Sequence, residues 1–226
     1  MHTALYSLIE TSDGSHTIYV NELDETMHST YGAIEEANVV YIKNGIEKAS
    51  ELTKEINVLE IGLGTGLNAL LSFVYAQKMG ISLKYTAIEP FPIPNSILSK
   101  LNYTHFLGKE LTEAVFRMIH ESAPDQSFEI NENSTFIKHK TDVRDFVTDD
   151  VFDLVIFDPF SPDKAPNLWT EDVLKKMYQQ LCINGILTTY CAKGSIKRIL
   201  KSIGFEVTNP SGPTGKREIT TAIKRN

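Results

Sequence analysis

Three glycines at alternate positions, in Glu60-Ile61-Gly62-Leu63-Gly64-Thr65-Gly66-Leu67-Asn68, constrain this chain more than any other feature. The run Ile56–Ile61 before them reads as a strand. After them Leu67, Leu70, Leu71 and Val74 fall on one helical face. A strand that turns through glycines into a helix can bend sharply and let its backbone approach a ligand closely. The helix N-terminus turns its free N–H groups toward the same place. A dinucleotide fingerprint, G-x-G-x-x-G, would need its third glycine where this chain has Leu67.

The rest of the chain repeats the strand–helix alternation. Further strands are expected at Leu83–Glu89, Thr135–Lys140, Asp153–Phe157, Gly185–Tyr190, Phe205–Thr208 and Glu218–Ile223. Helical faces recur in Val173, Leu174, Met177, Tyr178 and Leu181, and in Ile196, Ile199, Leu200 and Ile203. Ser195 reads as the N-cap of this last helix and Gly204 as its C-terminal stop. Such alternation implies an α/β fold: a mostly parallel, seven-stranded sheet with helices on both faces. Before it, Leu5–Ile9 and His16–Val20 read as a hairpin closed by Asp13-Gly14, followed by a helix near Ile34–Ile42. The expected division is an N-terminal hairpin-and-helix extension, 1–50, packed on a core domain, 51–226.

With 42% hydrophobic and 23% charged residues in 226, the chain has material for one full core. No apolar run nears the roughly 18 residues of a membrane span, and the start lacks a signal-peptide core, so a cytoplasmic location is expected. Cys182 and Cys191 are too few for a disulfide framework or a zinc site; two buried thiols and no metal are expected. The net charge of −7 by itself argues against nucleic acid, although a local basic patch can sit on an acidic protein.

In sheets of this kind ligands bind beyond the carboxyl ends of the strands. Four such ends carry polar chemistry. The first is the glycine turn itself; its G-x-G-x-G form resembles motif I of class I S-adenosylmethionine-dependent methyltransferases. The second ends in Glu89, whose two carboxylate oxygens suit the two hydroxyls of a ribose, in an NAD site as well as this one. The third leads to Asp142, either an acceptor for an adenine amino group or the N-cap of a short helix through Val147. The fourth runs into Asp158-Pro159-Phe160-Ser161-Pro162, then Pro166 and Trp169. An Asp followed by proline and an aromatic resembles motif IV of amino-group methyltransferases. Methyl transfer to nitrogen needs a neutral amine with its lone pair aimed at the methyl group. A carboxylate can hold that amine and offset the positive charge growing on it. Phe160, Trp169 and the prolines would wall a planar base.

The blocks Asp13-Gly14-Ser15, His28-Ser29-x-x-Gly32-Ala33-x-x-Glu36, Glu60 to Asn68, Glu89-Pro90-Phe91-Pro92, Asp158 to Thr170 and Gly215-Lys216-Arg217-Glu218 together resemble the methyltransferase domain of the MnmC family, in order and over almost the whole chain. The resemblance implies a class I methyltransferase fold, S-adenosylmethionine as cofactor, and methylation of the aminomethyl group on a wobble uridine of tRNA. It implies Glu60, Gly62, Gly64, Gly66, Asn68, Glu89 and Asp142 around the methyl donor, and Asp158 facing the amine. Bifunctional members continue into a flavin-dependent oxidase; this chain stops at Asn226, so a stand-alone form without flavin is expected.

For tRNA, Lys193, Lys197, Arg198 and Lys201, with Lys216 and Arg217, are expected to form a basic lip. Phe160, Trp169, Lys193, Lys216 and Arg217 are thus the candidate substrate contacts. The competing readings are an N-methyltransferase of a small amine, an NAD-dependent oxidoreductase, which Leu67 disfavours, and an idle binding domain, which the intact Asp158 block disfavours.

Overall fold

The computed structural model describes residues 5–226, apart from the side chains of 109–111. Its centre is β4 (Glu55–Ile61), paired in parallel with β5 (Ser82–Ile88) on one side and β8 (Phe152–Phe157) on the other. Beyond β5 lies β7 (Ser134–His139), and beyond β8 lies β9 (Leu181–Thr189), both parallel to their neighbours. β11 (Thr220–Lys224) is inserted antiparallel between β9 and β10 (Phe205–Thr208). Successive strands therefore run outward from β4 in both directions, which makes the gap between β4 and β8 the topological switch point.

The central strands are buried on both faces because alternate side chains feed two separate cores. Val58, Leu154 and Ile156 pack with the helices α1 (33–50), α2 (Leu67–Met79) and α3 (Lys109–Glu121). Leu59, Val155 and Phe157 pack with α4 (Glu171–Gln180) and α5 (Gly194–Ile203). Every central strand foreseen from the periodicity is present. The sheet has eight strands rather than seven, however, because β6 (Phe128–Asn131) adds an antiparallel edge on β7. Its four residues alternate between half-buried and exposed, and a register shift breaks the pairing, so it lacks the apolar run that marks the others. Ser195 lies inside α5; the N-cap is Lys193, while Gly204 ends the helix at φ 116° as expected.

The N-terminal hairpin is β1 (Tyr6–Glu10) with β2 (His16–Val20), joined by a short third strand, β3 (Glu25–Thr26). Asp13 in its turn accepts from the Ser15 N–H at 2.9 Å and, through its other oxygen, from the Glu35 N–H at 3.1 Å. One carboxylate thus closes the hairpin and docks it on the first turn of α1. That helix runs well past Ile42: it is α-helical over Ala33–Ala37, π-helical over Asn38–Glu47 and α-helical again over Lys48–Ser50. Asn38, Asn44 and Gly45 are poor helix formers, but Val40, Tyr41 and Ile46 are buried, and tertiary packing overrides propensity. Both thiols are free, with Cys191 buried and Cys182 half-buried. Among the described residues no helix is long and apolar enough to cross a membrane.

Candidate active site

A cavity of about 670 Å³ opens at the switch point, and the ends of β7, β5, β4 and β8 bring Asp142, Glu89, the glycine turn and Asp158 to it. The turn is tied to its neighbours: Gly62 N–H donates to the Ile88 carbonyl at 3.0 Å, and Asp158 N–H to the Ile61 carbonyl at 3.0 Å. The glycines there serve different needs. A Cβ at Gly62 would lie 2.7 Å from the Asp158 carbonyl oxygen, so Gly62 lets two strand ends touch. A Cβ at Gly64 would meet nothing nearer than Met27 Sδ at 3.8 Å; Gly64 keeps space open toward the cavity. Gly66 does not line the cavity. A Cβ there would sit 2.8 Å from His120 Nε2, so its role is helix packing, not ligand approach.

Glu89 accepts from the Gly64 N–H and the Phe91 N–H, both at 2.9 Å, one on each carboxylate oxygen. Burial pushes its carboxyl up, and the two N–H donors hold it down. Each oxygen keeps a lone pair for a further hydroxyl. Asp142 accepts from the Arg144 guanidinium at 2.7 and 2.9 Å and from the Arg144 N–H at 2.9 Å; these bonds hold it below the usual carboxylate range, so it is anionic. The residues after it form turns, with the Asp145 and Phe146 N–H groups donating to the Asp142 carbonyl.

Asp158 sits in a hydrogen-bonded chain that reaches from the cavity into the core. Tyr41 donates its hydroxyl to Oδ1, and Asn68 Nδ2 donates to Oδ2 at 2.8 Å. The same Nδ2 donates to Glu60 Oε1 at 3.0 Å, and Tyr85 donates to Glu60 Oε2 at 2.9 Å. Burial pushes the Asp158 carboxyl up to about 7, with the Glu36 charge adding to it, against the lowering effect of Tyr41, Asn68 and Lys216. Glu60 is fully buried, does not line the cavity, and is pushed well above its ordinary value by that burial. Glu60 therefore stands behind the cavity wall as a buried prop for Asn68. Asn68 Oδ1 is buried with no hydrogen-bond partner among the described residues.

On the other side of Asp158, Phe160 lines the cavity but Trp169 does not. Trp169 is buried edge-on against Phe157, 5.0 Å between ring centres, and donates from Nε1 to the Phe160 carbonyl at 2.8 Å. It braces the wall instead of forming it. Tyr190 both lines the cavity and braces its wall, donating to the Pro159 carbonyl at 2.9 Å. Lys216 lines the cavity, where its ammonium pairs with Glu36 and lies 4.5 Å from the Tyr190 ring centre. Lys193 and Arg217 line an adjoining hollow of about 580 Å³ that shares Tyr190 and Lys216 with the cavity. Half of the basic lip is paired in place: Lys193 with Asp163 at 2.5 Å, Lys197 with Glu218 at 2.7 Å, and Lys216 with Glu36. Arg198, Lys201 and Arg217 are exposed.

Sequence reasoning gave no role to four residues that line or brace this site: Tyr41, Glu36, His28 and Thr65. His28 bonds through Nδ1 to Thr17 Oγ1 at 3.0 Å and through Nε2 to Thr65 Oγ1 at 3.3 Å, which ties the hairpin to the glycine turn. On the far side His120 Nε2 meets the Thr65 carbonyl at 3.1 Å. Burial pulls both imidazoles down to about 4, so both are neutral at neutral pH, and His120 donates to that carbonyl. The block His28…Glu36 stood out in the sequence, but only the fold shows that its ends reach the site.

A glycine turn, an acid at the end of β5 and Asp158 at the switch point of this strand order define a class I methyltransferase. Residues 107–225, more than half of the chain, match the S-adenosyl-L-methionine-dependent methyltransferase family, and the chain belongs to it; S-adenosylmethionine is its methyl donor. The chain is similar to the tRNA 5-methylaminomethyl-2-thiouridine biosynthesis bifunctional protein MnmC of Cupriavidus metallidurans, 27% identical over 95% of this chain and 33% of that protein. It is also similar to an uncharacterized protein of Methanocaldococcus jannaschii, 29% identical over 96% of this chain and 59% of that one. The chain thus spans between a third and three fifths of these relatives' lengths. The crystal structure of MnmC2 from Aquifex aeolicus shares the fold, with a TM-score of 0.79 and 24% identity over 98% of this chain and 71% of that one. The resemblance seen in the motifs is borne out. The residues present fit the methyl donor: Gly64 leaves the cavity open, Glu89 offers paired oxygens, and Asn68 holds an unpartnered buried acceptor beside Asp158.

Proposed function

We propose that this chain methylates the amino nitrogen of 5-aminomethyluridine, with or without a 2-thio group, at the wobble position of tRNA, giving the methylaminomethyl form. The observation that carries this reading is the Asp158 carboxyl, at about 7, held by Tyr41 and Asn68 in the cavity that the glycine turn opens into. S-adenosylmethionine supplies a methyl group on a cationic sulfur. An aliphatic amine is mostly an ammonium at neutral pH and has no lone pair to react. The amine therefore binds in its neutral form, its extra proton left in solvent, and a carboxylate that titrates near the working pH can accept a hydrogen bond from it and orient its lone pair. As the lone pair forms the N–C bond, the S–C bond breaks; the surplus proton passes to Asp158, and the thioether product leaves neutral. Ionised Asp158 also offsets charge growing on nitrogen in the transition state. Phe160, Pro159 and the brace of Trp169 and Tyr190 give a fixed apolar wall for a pyrimidine ring. Glu89 and Asp142 are read as the ribose and adenine contacts of the methyl donor, and Lys193 and Arg217 as the tRNA contacts. This reading places the protein in the cytoplasm with tRNA as its partner.

The test is transfer of labelled methyl from S-adenosylmethionine to tRNA carrying aminomethyluridine, with unmodified tRNA as control. Incorporation only into the former is expected, and equal or absent incorporation overturns the reading. A second reading, N-methylation of a small amine, is favoured by the net charge of −7 and the internally paired lysines of the lip. It predicts transfer to a free aminomethyl nucleoside as fast as to the tRNA.

A further inference from the structure

Lys216 belongs by sequence to a basic loop, yet its side chain, 32% exposed, does not stand free in solvent as a phosphate contact would. It is turned inward, paired with a Glu36 carboxylate that is only 8% exposed, and laid over the face of Tyr190. The loop that carries it is fastened to α1. Thr214 donates to Glu35 Oε1 from its N–H at 3.1 Å and from its hydroxyl at 2.7 Å, and a Cβ at Gly215 would lie 2.4 Å from the Tyr31 ring. Two successive carboxylates of one helix thus catch two residues of the loop. Glu36, for its part, also accepts from the Ser29 N–H at 2.6 Å, so neither member of the pair is free to swing. Both side chains line the cavity that holds Asp158, and Tyr190, under Lys216, is bonded to the residue after Asp158.

We propose that Lys216 and Glu36 are positioning residues of the acceptor pocket, a fixed ion pair that sets the charge carried by Asp158, and that Lys216 is not a phosphate contact. The inference rests on the proposed acceptor role of Asp158. The physics is one of opposed fields in a pocket of low polarity, where water screens little. The groups acting on Asp158 are Tyr41 and Glu36 from α1, Glu60 from β4, Asn68 from α2, Tyr85 from β5, Tyr190 after β9, and Lys216. Of these, Glu36 and Lys216 carry the full charges that oppose each other: the carboxylate disfavours an ionised Asp158 and the ammonium favours it. Kept together they offset each other in part, Glu36 the stronger, and burial with these two opposed charges leaves Asp158 close to neutral pH, where a proton acceptor is of most use. Either one removed leaves the other uncompensated. The same ammonium disfavours a second positive charge beside it, which promotes the neutral form of an incoming amine.

The experiment follows the Asp158 carboxyl by ¹³C NMR titration in the whole chain without tRNA, in the wild type, Lys216→Met, Lys216→Arg and Glu36→Gln. Lys216→Met is expected to move the Asp158 titration to higher pH and Glu36→Gln to lower pH, each by about one pH unit. Lys216→Arg keeps the charge and is expected to keep the titration in place. Shifts in the same direction, or none, overturn the proposal, because loosened packing alone has no reason to give opposite signs. If Lys216→Met does not fold, the sign of the Glu36→Gln shift decides. A second arm measures tRNA affinity against salt: Arg217→Gln is expected to flatten the slope and Lys216→Met to leave it unchanged. A slope flattened by Lys216→Met restores it as a phosphate contact. Failure of the wild type to methylate aminomethyl tRNA would sink the functional reading and leave the titration result standing.

Discussion

Under the proposed function the cavity has a methyl-donor half and an acceptor half, and the two are built in opposite ways. The methyl-donor half comes from consecutive residues at the ends of adjacent parallel strands: the glycine turn after β4, Glu89 after β5 and Asp142 after β7. Its geometry follows from strand pairing, so local sequence specifies it. The acceptor half is assembled from residues far apart in the chain: Glu36 and Tyr41 on α1, Asp158 and Phe160 after β8, Tyr190 after β9 and Lys216 in the last loop. Nothing local aligns these. Each is positioned by a bond to another, Tyr41 to Asp158, Lys216 to Glu36, Tyr190 to Pro159. The first half can be read as a motif, and the second only as a network.

The largest expected effect tests whether chemistry sits in the acceptor half alone. Asp158→Asn keeps size and loses charge; kcat is expected to fall by roughly 10²–10⁴, with affinity for S-adenosylmethionine unchanged. In the wild type kcat should rise with pH through about 7 as Asp158 ionises, and the variant should lack that limb. Turnover near wild type would remove Asp158 from the reaction. The converse test acts on the methyl-donor half: Gly64→Val fills open space at φ 50° and should weaken S-adenosylmethionine binding more than about tenfold by calorimetry. Unchanged affinity there would show that the ligand does not approach the turn.

A smaller effect is expected at the rim. Lys193→Gln with Arg217→Gln should lower tRNA affinity and reduce the slope of log affinity against log salt by roughly 0.7–0.9 for each phosphate that is no longer neutralised. An unaltered slope would make this rim ordinary surface. The smallest effect is at the buried prop. Glu60 has its carboxyl raised by folding, so the stability it allows is full at low pH and is lost as pH rises through that raised value. Glu60→Gln imitates the neutral form. Its Tm at neutral pH should stay within a few degrees of wild type, and it should lose less stability than wild type toward alkaline pH; a large loss at neutral pH would mean that Glu60 is ionised in place.

The sequence specified the central sheet because Ile56–Ile61 and its neighbours are apolar on both faces. It left β6 unseen because Phe128–Asn131 is half exposed and has no such pattern. In the site, Gly62, Gly64, Glu89 and Asp158 were legible from their place at strand ends. Tyr41 was not, since a tyrosine among the apolar residues of a helix reads as core. Its reach to Asp158 depends on how the π-helical stretch 38–47 seats α1 on the sheet, where Thr188 Oγ1 donates to the Val40 carbonyl at 2.8 Å. Trp169 was placed one layer too far forward, for spacing cannot tell a wall from its brace.

The grip on Thr65 has a thermodynamic consequence. Two imidazoles hold this one residue of the glycine turn, His28 from the segment after β3 and His120 from α3, and both are held near 4 by burial. A histidine whose value is depressed by folding takes up its proton more readily in the unfolded chain. The stability this arrangement provides is complete above about 6.5 and drains away as pH falls toward 4, by up to about 7 kcal/mol for the pair. Acidification should therefore loosen the turn from both sides at once. Amide exchange at Thr65 and Gly66 should accelerate between pH 6.5 and 4 ahead of exchange in the central strands. The methyl-donor half, the more rigidly specified of the two, would be the first to yield to acid.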